Sequence, residues 1–401
     1  MSKTTLWVCF SYLGLATAGC GGSAGHMPTP PATCTNDPKQ IAYIVARDSD
    51  DITKIDLSCM QIVNSAKIGT MAAHMGELNA DASKLYVDSE DTNETVVVKT
   101  SDFSVVTRLV TPTHPTHITH WRNDDKFSVV AEDANSIFFI DAVTDQIISV
   151  LPGFYLPHFN RMALDGRYSY VANLKSNHIT RVDLQTLTID GHIALDGYDT
   201  PPNALMLADE DGFADVQVDQ VTGLLYAAHR ATGKVMVYDT NTKTKVTELQ
   251  VGQRPWIVYA EHPFGTLARR HMVPNFADET ASVINSQVPA VLGTLAVADQ
   301  ESFGVNYSPL APGEAFLMNR EKQQVAVIDL GGMTAIDHID VGGTTETAST
   351  SADGKYIVAA VSSSNSVVVI DAATHQVVKT FTGVGTYPWS VTMFGGQNYC
   401  H

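Results

Sequence analysis

The chain alternates apolar and polar residues over many short segments, and these segments come in pairs joined by polar turns. Residues 168–173 read Tyr-Ser-Tyr-Val-Ala-Asn and lead through a turn to Ile-Thr-Arg-Val-Asp at 179–183. Similar pairs occur within 315–329 and 356–371. Alternation with a period of two over five or six residues predicts half-buried β-strands. We therefore expect an all-β protein.

The strand pairs recur at a regular interval. The polar residue that ends the second strand of each pair returns about every 42 residues, with one longer interval. These positions are Asp56, Lys99, Asp141, Asp183, Asp239, Asn285, Asp329 and Asp371. A β-rich period of this length is typical of the four-stranded blade of a β-propeller. The pattern predicts a single propeller of eight blades, with seven as the alternative if one irregular repeat is not a full sheet.

The two ends of the repeat region complement each other. The first repeat, which starts at Ile41, lacks the innermost strand of a blade. After the eighth repeat, residues 387–393 supply an additional strand that is similar to the blade-opening segment at 254–258. We expect this C-terminal strand to complete the first blade, because closing the ring removes exposed sheet edges.

The Tyr-Val-Ala-Asn sequence at 170–173 resembles the motif that names the YVTN family of bacterial β-propellers. Looser forms of the motif occur in other repeats, and the resemblance covers about residues 40–395. It implies the propeller fold. The family's relatives include periplasmic metal chaperones, the haem d1 domain of nitrite reductases and lipoproteins of haem d1 biosynthesis. Because propellers are scaffolds for many activities, the resemblance leaves the function open.

Composition narrows the class of protein. Hydrophobic residues make up 44% of the chain and charged residues 17%, which excludes a disordered chain. The net charge of −18 excludes nucleic acid as a partner, because an acidic surface repels phosphate. The same charge favours cationic ligands, including metal ions. Apolar runs beyond the N-terminus are too short to cross a bilayer.

The N-terminus resembles a bacterial lipoprotein signal. An apolar stretch at 6–18 follows Lys3 and ends in Thr-Ala-Gly-Cys, which is similar to a lipobox. The resemblance implies a signal peptide at 1–19, a lipidated tether at 20–39 with the lipid on Cys20, and a propeller at 40–401. Gly21 after the cysteine favours the outer membrane, with the domain facing the periplasm or the cell exterior. An ordinary secretory signal is the alternative.

Three further cysteines are expected in an oxidising compartment, where disulfides form. Ring closure is expected to bring Cys400 close to Cys34, so we predict a Cys34–Cys400 disulfide. Cys59 lies in the turn after Asp56, on the same face of the ring, and is the alternative partner of Cys34.

Histidines are concentrated in the links between the outermost strand of one blade and the innermost strand of the next. These links surround one mouth of the axial channel. His74, His117 and His158 fall at similar places in consecutive blades, so we predict that their rings converge on a zinc or copper ion. Weaker candidates are His114, His120 and His229. The alternative is structural, with each ring donating a hydrogen bond to a backbone carbonyl.

The sequence predicts a membrane-anchored, extracytoplasmic binding propeller rather than an enzyme. The resemblance to zinc-chaperone propellers is local, at Pro-Thr-His-Ile 115–118. Two alternatives remain: a haem d1-type cofactor-binding or processing protein, and a protein-interaction scaffold without a small-molecule site. A metal transporter or a cytochrome is the expected protein partner.

Overall fold

The computed structural model shows an all-β protein with two short 3-10 helices, Pro38–Gln40 and Ser362–Ser364. The predicted signal peptide, Cys20 and Cys400 lie outside the residues that the structure describes. Among the described helices, neither has the length or apolarity to cross a bilayer. The description covers 33–399, apart from 122–123, 196–198, 201–206, 208, 262–268 and 298–301.

The strands follow one another around the ring in groups that each form one sheet. The first three groups are β1 (Ile41–Ala46), β2 (Asp51–Asp56), β3 (Gln61–Lys67); β4 (Ala73–Leu78), β5 (Lys84–Ser89), β6 (Glu94–Lys99), β7 (Val105–Val110); and β8 (Pro115–Trp121), β9 (Lys126–Ala131), β10 (Ser136–Asp141), β11 (Gln146–Pro152). The next two are β12 (Pro157–Met162), β13 (Tyr168–Asn173), β14 (His178–Asp183), β15 (Thr188–Ala194), β16 (Asp199–Thr200); and β17 (Phe213–Val218), β18 (Leu224–His229), β19 (Lys234–Asp239), β20 (Thr244–Gln250). The last three are β21 (Arg270–Asn275), β22 (Thr280–Asn285), β23 (Ala290–Ala296); β24 (Ser302–Asn306), β25 (Glu314–Asn319), β26 (Gln324–Asp329), β27 (Thr334–Asp340); and β28 (Thr345–Thr350), β29 (Tyr356–Val361), β30 (Ser366–Asp371), β31 (Gln376–Thr382). The chain then forms β32 (Pro388–Met393) and β33 (Gln397–Tyr399).

Eight antiparallel sheets make up the ring, which confirms the prediction of eight blades and not seven. In most sheets the first strand is innermost and the fourth is outermost. The sixth blade has three regular strands, and its inner position is taken by a segment that makes isolated bridges from Pro255 and Tyr259 to β21.

The C-terminal strand closes the ring as the sequence predicts. β32 pairs antiparallel with β1, with Thr392 opposite Tyr43, and completes the first blade. β33 then pairs with the channel side of β28, where Gln397 lies opposite Thr350. The Gln397 side chain accepts a hydrogen bond of 3.0 Å from the Tyr307 backbone N–H. Through these contacts β33 links the seventh and eighth blades.

The repeating polar residue has a local structural role. All eight predicted positions are the last residue of the third strand of a blade. Asp141, for example, accepts backbone hydrogen bonds from Val143 at 3.0 Å and Thr144 at 2.9 Å. A carboxylate that binds backbone two and three residues further on favours a tight turn, which starts the outermost strand.

Neighbouring blades pack face to face and bury both sides of each sheet. Tyr43 and Val45 of the first blade share a core cluster with Leu85 and Val87 of the second. Burying one face against each neighbour is what a single blade cannot do alone.

The predicted pairing of Cys34 with Cys400 is wrong in this structure, which pairs Cys34 with Cys59. The Asn36 N–H donates to the Asp56 carboxylate at 2.9 Å, and this contact holds the entering chain beside the turn after β2. The C-terminal strand β33 instead runs along β28 in the eighth blade.

Replacing Cys34 and Cys59 together by serine is expected to lower the free energy of unfolding by about 3 kcal/mol. The bridged residues are 25 positions apart, and the entropy of closing a loop of this size gives that magnitude. Guanidinium unfolding of the oxidised protein and the variant measures the change. Cys400→Ser is the matched control and should leave the midpoint unchanged; an equal loss in this control would restore the Cys34–Cys400 pairing.

Candidate functional site

Several inner strands start at the channel mouth directly after a residue with a left-handed backbone. His114 has φ of 61° and precedes β8, and Ala72 has φ of 52° and precedes β4. Their carbonyls accept hydrogen bonds from the backbone N–H groups of Glu132 at 3.0 Å and Glu90 at 3.1 Å. This arrangement places an acidic residue beside the start of the inner strand in two consecutive blades.

A β-bulge then directs side chains of the inner strands into the channel. In β8, Pro115 lies opposite Ala131 and Ile118 lies opposite Val129, so the inner strand has one extra residue. The strands β4 and β12 have the same irregularity. Bulges change the direction in which side chains point. His74 and His158 are each the second residue of their inner strand. His117 is the third residue of β8, one position further from the start of its strand.

Three histidine rings form a continuous arc at the mouth. The centroid of the His117 ring lies 5.0 Å from that of His74 and 4.5 Å from that of His158. All three residues are buried, at 4%, 2% and 7% exposure for His74, His117 and His158. Trp389 packs beside His74 at 5.4 Å and Trp256 beside His158 at 5.3 Å. We call the three histidines the histidine arc.

Backbone carbonyls fix the orientation of the two outer rings of the arc. Nδ1 of His74 lies 2.8 Å from the Thr116 carbonyl, and Nδ1 of His158 lies 2.8 Å from the Ala214 carbonyl. A carbonyl only accepts, so Nδ1 carries the proton and Nε2 carries the lone pair. This is the hydrogen bond that the structural alternative predicts, and metal-binding histidines are held in the same way, so the bond fits both interpretations.

Burial keeps these rings neutral. It lowers the pKa of His74 to about 3, with the charges of Arg47 and His114 acting in the same direction. It lowers the pKa of His158 to about 4. Neutral imidazole is the form that binds metals, so both rings have that form at physiological pH.

Glu132 joins the arc and was not identified from the sequence. Ligand atoms of His117, Glu132 and His158 all lie within 4.8 Å of one another. Burial raises the pKa of Glu132 to about 8, and the nearby Glu90 adds to the shift. The sequence repeat could have identified Glu132 as a site residue. Glu90 and Glu132 occupy the same place in successive blades, directly after the second strand.

Charged residues flank the arc on both sides. Arg47 lies 2.6 Å from the Glu90 carboxylate and stacks on Trp389 at 4.9 Å. The other Glu90 oxygen is 3.6 Å from His74 Nε2. On the opposite flank, the Arg230 guanidinium lies 4.3 Å from the centre of Trp256.

The weaker histidine candidates do not belong to the three-residue group. His114 is more exposed, and its Nε2 lies 3.8 Å from Glu90. His229 binds Asn177 at 2.8 Å and lines a separate cavity between the fourth and fifth blades. His120 was predicted near the mouth, but it lies five residues beyond Pro115, roughly 16 Å along the strand. There it contacts Asp125 at 2.9 Å.

A second cluster of potential ligands does not suit a metal. Cys34, Asp56 and Cys59 are close together, but the two sulfurs form the disulfide. By contrast, two imidazoles and one carboxylate are a known zinc ligand set that leaves one coordination position open. The histidine arc with Glu132 is therefore the candidate metal centre.

The fold and its closure define the chain as an eight-bladed β-propeller. Among solved structures it is similar to the dihydro-haem d1 dehydrogenase NirN in complex with DHE, with a TM-score of 0.73, 15% identity, and coverage of 90% of this chain and 76% of that one. Apo AztD from Citrobacter koseri is similar at a TM-score of 0.62 and 12% identity, covering 90% of this chain and 98% of AztD. Identities this low show the fold alone. No family model matches the sequence, and neither does any curated protein.

Proposed function

We propose that this protein is an extracytoplasmic propeller that binds a divalent transition metal ion, zinc or copper, at the channel mouth. His117, His158 and Glu132 are the proposed ligands, and His74 packs against His117. The observation that carries this proposal is the convergence of the three ligand atoms within 4.8 Å. The hydrogen bond from His158 Nδ1 to the Ala214 carbonyl leaves the lone pair on Nε2, as a metal ligand requires.

The position of the N-terminal link is compatible with the proposed membrane anchor and with a site turned outward. β1 runs toward the mouth, since Ala46 pairs with Pro388 at the start of β32. Cys34 lies beside the turn after β2, at the opposite end of the ring. A lipid on Cys20 would then hold the arc away from the anchoring membrane. A metal transporter or a cytochrome is the proposed protein partner.

A haem d1-type cofactor is the second candidate function. It is favoured by the two arginine–tryptophan pairs, Arg47 with Trp389 and Arg230 with Trp256, which flank the arc with flat aromatic surfaces that each carry a guanidinium. The similarity in fold to a dihydro-haem d1 dehydrogenase agrees with it. Adding the tetrapyrrole to the metal-free protein and recording a shifted absorption band would favour this candidate.

Zinc titration of the metal-free protein against a chromophoric chelator tests the proposal. We expect one tightly bound equivalent per chain, and this equivalent should be lost when the arc is disrupted. His338→Ala is a suitable control, because His338 is exposed on the outermost strand β27. Equal stoichiometry in the arc variants and the control would contradict a site at the mouth.

A further inference from the structure

Two buried N–H donors beside the histidine arc lack acceptors. Neither Arg230 Nε nor Trp256 Nε1 has a hydrogen-bond partner within the described part of the chain. The Arg230 guanidinium stacks on the Trp256 ring at 4.3 Å, so both donors belong to one stacked pair. Buried donors without acceptors are rare in native proteins and call for a specific explanation.

Arg230 also differs from the other arginines around the mouth. Arg47 pairs with Glu90 at 2.6 Å, Arg254 with Asp211 at 2.9 Å, and Arg320 with Glu346 at 2.9 Å. Arg230 forms no such ion pair with any residue that the structure describes. The negative charges of Glu210 and Asp211 act on Arg230 through longer-range electrostatic attraction.

We propose that Arg230 and Trp256 form a binding subsite for a carboxylate group of a small anionic ligand. A guanidinium offers several N–H donors in a planar fork that matches a carboxylate, and the indole N–H adds one more. The aromatic face holds the guanidinium in place through a cation–π contact. The pair supplies donors only, which selects an oxygen-bearing anion and excludes a second cation.

The subsite adjoins the candidate metal centre. Trp256 contacts the Arg230 guanidinium at 4.3 Å and the His158 ring at 5.3 Å, so the subsite and the candidate metal centre share one aromatic residue. If the proposed metal function holds, the metal would be received as a carboxylate complex, and Arg230 and Trp256 would bind a carboxylate of that complex. The carboxylate could belong to a small chelator or to the rim of a macrocycle; the recognised chemistry is the same.

Calorimetric titration of the metal-free protein with citrate tests the subsite independently of metal binding. We expect citrate affinity to fall about tenfold or more in Arg230→Gln and by a smaller factor in Trp256→Phe, which keeps the ring and removes the N–H. Arg254→Gln is the matched control: it removes the same charge from a neighbouring arginine that is already paired. It should change the affinity by less than about threefold.

The outcomes separate the subsite from the metal site. His158→Ala should abolish zinc binding and retain citrate binding. Citrate binding that depends on Arg230 in a protein that takes up no zinc would support the subsite and refute the metal function. A parallel titration with a dicarboxylic porphyrin distinguishes a macrocycle from a small chelator. If neither ligand binds, or if Arg230→Gln and Arg254→Gln weaken binding equally, the subsite is refuted; near-ultraviolet circular dichroism verifies that each variant is folded.

Discussion

Replacing His117 by alanine is expected to weaken zinc binding by at least about 100-fold. His117 lies in the middle of the arc, and its removal leaves only His158 and Glu132 of the proposed ligands. Loss of a residue that merely orients a ligand already costs about 10- to 100-fold in metal affinity, so loss of a ligand should cost more. Competition with a chromophoric chelator at fixed pH measures the change.

Two further variants show whether this loss is specific to the proposed ligand set. His74→Ala removes a ring that packs against His117 at 5.0 Å but lies outside the three-residue group, so about tenfold weakening is expected. His338→Ala should have no effect. An unchanged zinc affinity in a folded His117→Ala protein would rule out the arc as the metal centre.

Zinc affinity is expected to rise about tenfold per pH unit up to about pH 8 and then level off. Below its pKa of about 8, Glu132 is protonated in the metal-free protein, and zinc must displace that proton. The pKa of His158 is about 4, so this ligand does not compete for protons over the same range. Between pH 6 and pH 8 the change is about 50-fold, because half of the Glu132 carboxyl groups are protonated at pH 8.

Glu132→Gln provides the control for this pH dependence. The amide does not titrate, so the variant should bind zinc more weakly and with little dependence on pH above about 5. Titrations at a series of pH values with proton-release measurements distinguish the two proteins. A slope of two protons per zinc centred near pH 6.5 would indicate ordinary exposed histidines and would contradict the assigned site.

The fold could be predicted from the sequence because the blades share the same alternating strand pattern and the same polar turn residue. The polar residue at the end of the third strand, such as Asp141, fixes a turn through its own side chain. The extra strand at 387–393 was recognisable since the first repeat lacked its partner. Both signals are local in sequence or follow from ring closure.

The site was only partly predictable, because it depends on which residues the inner-strand bulges turn inward. The ring of His117 lies between those of His74 and His158. His117 is nevertheless the third residue of its inner strand, whereas His74 and His158 are each the second residue of theirs. Glu132 was missed because it follows a different strand and reaches the arc through tertiary contacts, which are its backbone bond to His114 and the 3.2 Å hydrogen bond that its carboxylate accepts from Thr116 Oγ1.

The errors have a common cause. His120 was placed at the mouth because the length of β8, and so the distance from Pro115 to its far end, was not known. Cys400 was paired with Cys34 because the path of the chain after β32 was not known; the chain turns back along β28 as β33. In both cases the sequence indicates the element but not where its end lies in the ring.

Crystallography of the zinc-soaked protein at the zinc absorption edge tests the proposed metal centre. We expect one anomalous peak per chain at the channel mouth, within about 2.0–2.2 Å of nitrogen atoms of His117 and His158 and an oxygen of Glu132. A peak elsewhere, or no peak at the mouth at saturating zinc, would contradict it.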